Sequence, residues 1–241
     1  MAFARALARR HCNLVLVARS LEPLHALASE LRRSAPISVI AIQLDLSTSG
    51  AAQILAEQLS RGGIPVELLV NNAGFGLRGE FRANSLPRQL EMLRLNNQAI
   101  VELTYSLLPG MLEREQKGII NVSSTAGFQP IPFASAYSAS KAFLTTFSLG
   151  LEQELRRGGV TVVTVCPGRL RKNENGHSHP VRGKWAGIYQ APEEVVEEAL
   201  RVLANGGGLT VPGALNKFSV FAQRLISRRI VPRLIAKLSK A

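Results

Sequence analysis

The sequence predicts an α/β fold, a doubly wound parallel sheet with helices on both faces, and three observations predict it. Short apolar runs alternate with longer segments whose apolar residues recur at helical spacing. The short runs are apolar on both faces, as strands buried between two helical layers must be. Residues fit for chemistry stand just after those runs, where open α/β sheets bind ligands: Arg19, Asp45, "NNAG" at Asn71–Gly74, "SSTAG" at Ser123–Gly127 and "PG" at Pro167–Gly168.

Taken in order, Met1–Arg10 reads as a helix with apolar residues along one side. Asn13–Ala18 is the first strand-like run, and Leu21–Ser34 follows as a helix with Leu24, Leu27, Ala28 and Leu31 on one face. Strand-like Ile37–Leu44, helix-like Ser49–Arg61 and strand-like Val66–Val70 come next. A long helical stretch runs from about Leu86 to Glu113, followed by strand Gly118–Ser123, helix Tyr137–Arg157 and strand Val160–Val165. Pro192–Ala204 is helical again, with Pro192 suited to the first turn and Glu193 and Glu194 suited to its positive end. Leu209–Val211 is a last short strand. Residues 1–212 read as one domain, and 213–241 as a basic amphipathic C-terminal extension.

Composition excludes several classes. An apolar fraction of 46% is too high for a disordered chain. Cys12 and Cys166 both sit in apolar runs and read as reduced core residues, which suits a cytoplasmic setting. No apolar run reaches the roughly 18 residues of a membrane-spanning helix, and no secretory signal is recognisable near Met1. The net charge of +12 is uneven: residues 217–241 hold seven basic residues and no acid. That pattern points to an anionic surface or partner, and without a zinc-finger spacing or an aromatic-basic platform it does not point to nucleic acid.

The chemistry is carried by "SAYSASKAF". Tyr137 and Lys141 are four residues apart on a predicted helix, so both side chains share one face, one turn apart. A free phenol titrates near pH 10, and a fixed ammonium nearby favours the phenolate. Tyr137 is therefore a candidate general acid/base for a carbonyl or alcohol. Ser124, thirteen residues upstream at the end of a strand, is placed to hydrogen-bond the same substrate oxygen. A lone Tyr-x-x-x-Lys is common by chance; here it comes in order with "NNAG", Asn96 and "PG".

Over nearly its whole length the sequence resembles the short-chain dehydrogenase/reductase family. The resemblance implies a Rossmann-like sheet, hydride exchange with a nicotinamide dinucleotide, and Tyr137 as proton donor in reduction. It implies that Lys141 both tunes Tyr137 and holds the nicotinamide ribose, that Ser124 orients the substrate carbonyl, and that Asn96 holds a water of the proton relay, with Asn97 the poorer match. Asp45 would contact the adenine, Asn71, Ala73 and Gly74 would close over the adenosine side, and Pro167–Gly168 would lie beside the cofactor. Arg19, where an acid would bind the ribose 2′-hydroxyl, favours a 2′-phosphate. The expected cofactor is NADP, with NADPH preferred over NADH.

The family places a strand and a glycine-rich turn before a helix like Met1–Arg10, and that turn binds the pyrophosphate. The chain as written starts inside the helix, so the missing strand would fall between Asn13–Ala18 and Val66–Val70. Three explanations stay open: an internal methionine recorded as the start, a natural truncation that lost cofactor binding, or a strand supplied by another chain. The expectation is weak NADPH binding by the 241 residues and activity in a chain extended upstream. The family's threonine after "CPG" is also replaced, with Lys172 near its place. Segment Arg169–Tyr189 corresponds to the family's substrate lid, and its His177 and His179 lack further ligands nearby, so no metal is expected.

Pro232 should break the C-terminal helical pattern. Before it Phe218, Phe221 and Leu225 share one side and Lys217, Arg224 and Arg228 an adjacent one. This segment either contacts a membrane peripherally, which would suit a lipid-like substrate, or packs on the body or on a sister subunit with its charges in solvent. The apolar face of Leu144–Leu155 suits a homo-oligomer. Two functions remain from sequence: an NADPH-dependent oxidoreductase on a small carbonyl or alcohol, and a catalytically impaired binding protein that uses its basic tail.

Overall fold

The computed structural model describes residues 1–171, 189–223, 230–233 and 236. Lys172, His177, His179 and most of the basic tail lie outside the described residues. Strands and helices alternate as the sequence predicts. Helix α1 (Ala2–Ala8) leads into β1 (Leu14–Ala18), and α2 (Leu21–Ser34) returns to β2 (Val39–Gln43). Next come α3 (Ala51–Arg61), β3 (Leu68–Asn71), α4 (Leu86–Leu93) and α5 (Ala99–Leu112). After them lie β4 (Gly118–Val122), α6 (Ser135–Leu155) and β5 (Thr161–Val165). The short strands β6 (Arg169–Leu170) and β7 (Tyr189–Gln190) precede α7 (Pro192–Ala204), β8 (Gly208–Thr210) and α8 (Ala214–Gln223).

All pairings are parallel, but the main sheet is in two pieces. β1 pairs with β2, from Leu14↔Val39 to Ala18↔Gln43. β3, β4, β5 and β8 form the other piece in that order. Among the described residues β1 and β3 share no ladder, so each keeps one edge without a strand partner, where the sequence expects a further strand between them. Burial follows from this. β4 and β5, flanked on both sides, are buried almost throughout, whereas β1 and β3 are mostly half-buried. A strand end with an open edge leaves polar backbone groups to solvent, which is tolerable only where water reaches them.

Helices cover both faces. On one face α1, α2 and α7 pack over the sheet through Leu7, Leu27, Leu31, Val195 and Ala199, meeting Ile120 and Val163 of β4 and β5. On the other, α3, α5 and α6 bury Leu55, Leu103, Met111 and Leu151 against Ile119 and Val162. Successive strand residues thus serve opposite layers, as the pleat requires. α1 is tied down by Arg5 to Glu30 of α2 at 2.7 Å and Arg10 to Glu197 of α7 at 2.6 Å.

Two local features differ from the sequence reading, and a third matches one of its alternatives. The predicted long helix is interrupted by a single π turn, Arg94–Gln98, between α4 and α5. Within α6, Leu144 and Leu151 point into the core, and the exposed apolar side chains are Phe143 and Leu149. α8 docks on the body through Asn216 and Val220, with Val220 against Cys166 and Val211, leaving Phe218 and Phe221 outside. Both cysteines are free thiols, Cys166 buried and Cys12 half-buried. No described helix is long and apolar enough to cross a membrane.

Candidate active site

The sequence-predicted residues gather at the carboxyl ends of the strands, and a chain of short contacts fixes them there. Lys141 is the anchor. Its Nζ donates to the Val122 carbonyl at the end of β4, at 2.9 Å. One turn of its own helix holds α6 to the same strand end: Ser123 Oγ donates to the Lys141 carbonyl at 2.9 Å and meets Thr145 Oγ1 at 2.7 Å. Gly127, in the 3-10 turn Thr125–Phe128, lies so close that a Cβ there would stand 2.7 Å from the Lys141 carbonyl. Only glycine permits that approach.

The two serines of "SST" therefore divide the work. Ser123 faces the core and binds α6, while Ser124 turns the other way, capping the 3-10 turn by accepting from the Ala126 amide at 3.1 Å. Ser124 Oγ also lies 3.4 Å from the Pro167 carbonyl, and the Thr125 amide donates to that carbonyl at 2.9 Å. The loop after β5 is thus set beside Ser124.

Lys141 is 8% exposed, and burial pushes its ammonium down to about 8, with nearby Cys166 acting in the opposite sense. Burial pushes the Cys166 thiol up to about 11, against the Thr145 and Ser123 hydrogen bonds and the Lys141 charge. Tyr137, one turn before Lys141, is half-buried, with its ring packed over Gly76, where a Cβ would stand 3.0–3.3 Å from ring atoms. Gly74 sits between the other two groups: a Cβ there would be 2.7 Å from Asn96 Oδ1 and 3.8 Å from Lys141 Nζ.

Asn96 is fully buried in the π turn. Its Nδ2 donates to the Phe75 carbonyl at 2.9 Å and to Ser140 Oγ at 3.2 Å, and its Oδ1 accepts from the Phe75 amide at 3.1 Å. The wider turn brings this side chain inward from the helix, a common use of π turns at sites. Asn97 bonds the Ser140 carbonyl at 2.8 Å and so braces α6. Asn71 is buried at the end of β3 and donates to Asn121 Oδ1 at 2.8 Å; Asn121 in turn donates to Ser148 Oγ of α6 at 2.8 Å. This amide ladder across two strands and a helix was invisible in the sequence beyond Asn71.

Farther along the strand ends stands a charged cluster. Arg19, exposed after β1, donates to Glu91 Oε1 of α4 at 2.7 Å and lies 4.0 Å from Asp45. Glu91 also receives Arg88 at 2.5 Å, and Arg88 lies over the Phe75 ring, 4.1 Å from its centre. Burial would raise the Asp45 carboxyl, but the Ser47 hydroxyl and amide and the Arg19 charge outweigh it and hold it low. Ala73 and Gly74 are exposed on the segment after β3, Pro167 is buried and Gly168 half-buried. Glu91 was not singled out from sequence, since an acid on a helix has no local signature.

As a set these groups fit most of a nicotinamide dinucleotide. A guanidinium, an ionised carboxylate, open backbone after β3, and a Ser–Tyr–Lys group occupy successive strand ends, and Gly74 and Gly76 let Asn96 and the Tyr137 ring pack against the backbone there.

A family model described as short chain dehydrogenase matches residues 1–179. Over 205 residues the chain is 34% identical to a ketoacyl reductase, HetN, of Nostoc sp., covering 84% of this chain and 70% of that protein. It is 34% identical over 162 residues to a very-long-chain 3-oxoacyl-CoA reductase of Laccaria bicolor, covering 66% of this chain and 48% of that protein. The chain thus spans between 48% and 70% of the length of these relatives. Among solved structures, a short-chain dehydrogenase from Sphingobium yanoikuyae in complex with NADPH superposes with a TM-score of 0.77 at 28% identity, covering 93% of this chain and 89% of that one. The chain belongs to the short-chain dehydrogenase family.

Proposed function

We propose that this chain supplies the catalytic body of an NADPH-dependent reductase, acting on the ketone of a 3-oxoacyl or similar lipid-like substrate. The observation that carries the proposal is the buried Lys141 beside Tyr137. An ammonium held by one carbonyl in a dry place, one helical turn from a phenol, is an arrangement for proton transfer. The nicotinamide, when bound, supplies the hydride. The protein's own part is to orient the ketone oxygen with Ser124, deliver a proton from the Tyr137 hydroxyl, and favour the phenolate so formed with the Lys141 charge. Asn96, fixed by the Phe75 backbone, keeps one lone pair of Oδ1 for a water behind Lys141. Arg19 and Asp45 take the adenosine end, with Arg19 leaving Glu91 for a 2′-phosphate. The NADPH complex of the Sphingobium yanoikuyae relative supports this choice, and the names of the two reductases support the substrate class.

A second reading has one observation in its favour. The open edges of β1 and β3 suit a binding protein without turnover, with its basic tail on an anionic partner or membrane. One experiment separates the two. NADPH is titrated by fluorescence against the 241-residue chain and against a chain extended upstream with any in-frame strand and glycine turn, and both are assayed with acetoacetyl-CoA. Turnover that Tyr137→Phe lowers at least 1,000-fold supports the reductase. Absence of binding and turnover in both chains refutes it. Exposed Phe143 and Leu149 on α6 and Tyr105 on α5 suit a second copy of the chain, which a sedimentation measurement tests.

A further inference from the structure

Two buried carboxamides outside the Ser–Tyr–Lys group converge on the loop after β5. Gln190, at the end of β7, and Asn216, in the first turn of α8, are 5% and 8% exposed. The Gln190 side-chain oxygen receives two N–H groups, Asn216 Nδ2 at 3.0 Å and the Gly168 backbone amide at 3.2 Å. Asn216 Nδ2 also donates to the Pro212 carbonyl at 3.1 Å. The packing is tight enough to dictate glycine on two sides: a Cβ on Gly168 would stand 2.5 Å from the Asn216 amide, and one on Gly213, whose φ is +82°, would stand 2.9 Å from Gln190 Nε2. The Gln190 backbone adds to this, since its carbonyl accepts from the Arg171 amide at 2.8 Å where β6 and β7 pair.

We infer that Gln190 and Asn216 are positioning residues that hold the Gly168 peptide, and through it the Pro167 carbonyl, in register with Ser124. Three stretches that are separate in sequence meet at this pair: the loop after β5, β7, and the turn from β8 into α8. The Pro167 carbonyl faces Ser124 Oγ at 3.4 Å and the Thr125 amide at 2.9 Å, so a shift of the Gly168 peptide moves the surroundings of Ser124 directly. Misplacement of a reacting group by about 1 Å is enough to lower a rate about 100-fold. The consequence for the reaction rests on the reductase reading; the hold on Gly168 does not. It also gives α8 a use: the helix that begins the basic extension is fastened to the reactive end of the site by its own first turn.

The test uses the full chain and three variants. Gln190→Leu keeps volume and removes the acceptor, Gln190→Glu keeps an acceptor oxygen, and Asn216→Asp removes the donor in nearly the same shape. The readout that needs no cofactor is amide hydrogen exchange at Gly168, followed by NMR. We expect Gln190→Leu to speed that exchange at least 30-fold, with amides of β4 and β5 changed less than threefold, and Gln190→Glu to recover most of the protection. With NADPH and acetoacetyl-CoA, Gln190→Leu and Asn216→Asp lower kcat at least 10-fold with KM for NADPH within threefold, and Gln190→Glu recovers part of kcat. Unchanged exchange at Gly168 in Gln190→Leu overturns the inference, as does accelerated exchange there with unchanged kcat. If the wild-type chain neither binds NADPH nor turns over, the reductase reading fails, and the Gly168 exchange still decides whether the clamp exists.

Discussion

Lys141 should make the protein less stable at neutral pH than a variant that lacks it. The lysine is nearly buried, its Nζ has the Val122 carbonyl at 2.9 Å, and burial brings it from 10.5 to about 8. At about 1.36 kcal/mol per pH unit, that fall means charging Lys141 disfavours the folded state by about 3 kcal/mol relative to the unfolded chain. The direction follows from proton counting. Below pH 8 both states hold the proton and the penalty is complete. Between pH 8 and 10.5 the unfolded chain holds more protons than the folded one, so stability rises with pH. Above that range both are neutral and the penalty is gone. Cys166, pushed up to about 11, stays a thiol through most of this window and supplies no compensating charge.

Lys141→Met keeps the stem and removes the charge. It also removes the donor to Val122, a loss of about 1–2 kcal/mol. The net expectation at pH 7 is a gain of roughly 1–2 kcal/mol, or about 2–8 °C in Tm for a chain of this size. By pH 10.5 the penalty has vanished from the wild type, and the variant should be the less stable of the two by about 1–2 kcal/mol. Thermal unfolding of both proteins without cofactor, at half-unit steps from pH 7 to 10.5, reads the crossing. A Tm difference that does not change across this range, or a variant less stable at pH 7, refutes the reasoning. On the reductase reading the same substitution should abolish turnover, since the group that weakens the fold would be the one that lowers the barrier.

Asn121→Ala leaves Asn71 Nδ2 and Ser148 Oγ buried without the amide between them, and should lower stability by about 3 kcal/mol, read as a urea midpoint shift with unchanged m. Gly74→Ala puts a methyl 2.7 Å from Asn96 Oδ1 and should lower kcat/KM about 100-fold while the circular dichroism spectrum stays the same. Arg19→Ala should weaken NADPH binding about 10- to 100-fold and leave NADH binding within threefold, because the loss is of charged hydrogen bonds to a phosphate. Glu91→Gln frees Arg19 from a competing exposed ion pair, so NADPH affinity should rise up to about fivefold, with the gain fading in high salt.

How much of this was legible in the sequence depends on the range of the interaction. The alternation of strands and helices was legible because each element carries its own periodicity. Tyr137 and Lys141 were legible because four residues on a helix fix a shared face. What joins elements was not. Asn121 reads as one polar residue in an apolar strand, and its meaning comes from Asn71 fifty residues before and Ser148 twenty-seven after. The π turn at Asn96 has no period of its own within five residues and was read as continuous helix. Gln190 and Asn216 sit 26 residues apart, one just past the segment read as a lid and the other in the segment read as an extension, and only the fold brings them together at the Gly168 amide.

The division of the sheet and the integrity of the site have the same physical basis. The Ser124, Tyr137 and Lys141 group is built from β4, α6 and the loop after β5, all within the β3–β4–β5–β8 piece. Its strands are buried on both faces and its hydrogen bonds run between neighbours within that piece. The proposed adenosine end belongs to β1, β2 and their loops, and its described links to the other piece include Arg19 to Glu91 as well as helix packing. On the proposed reading, proton-transfer geometry is therefore independent of whatever joins β1 to β3, whereas cofactor affinity is not, because the cofactor would bridge both pieces. Loss of the join should then raise Kd for NADPH steeply and leave the Lys141 and Asn96 contacts intact, so that hydrogen exchange in β4 and β5 stays slow in a chain that binds cofactor poorly.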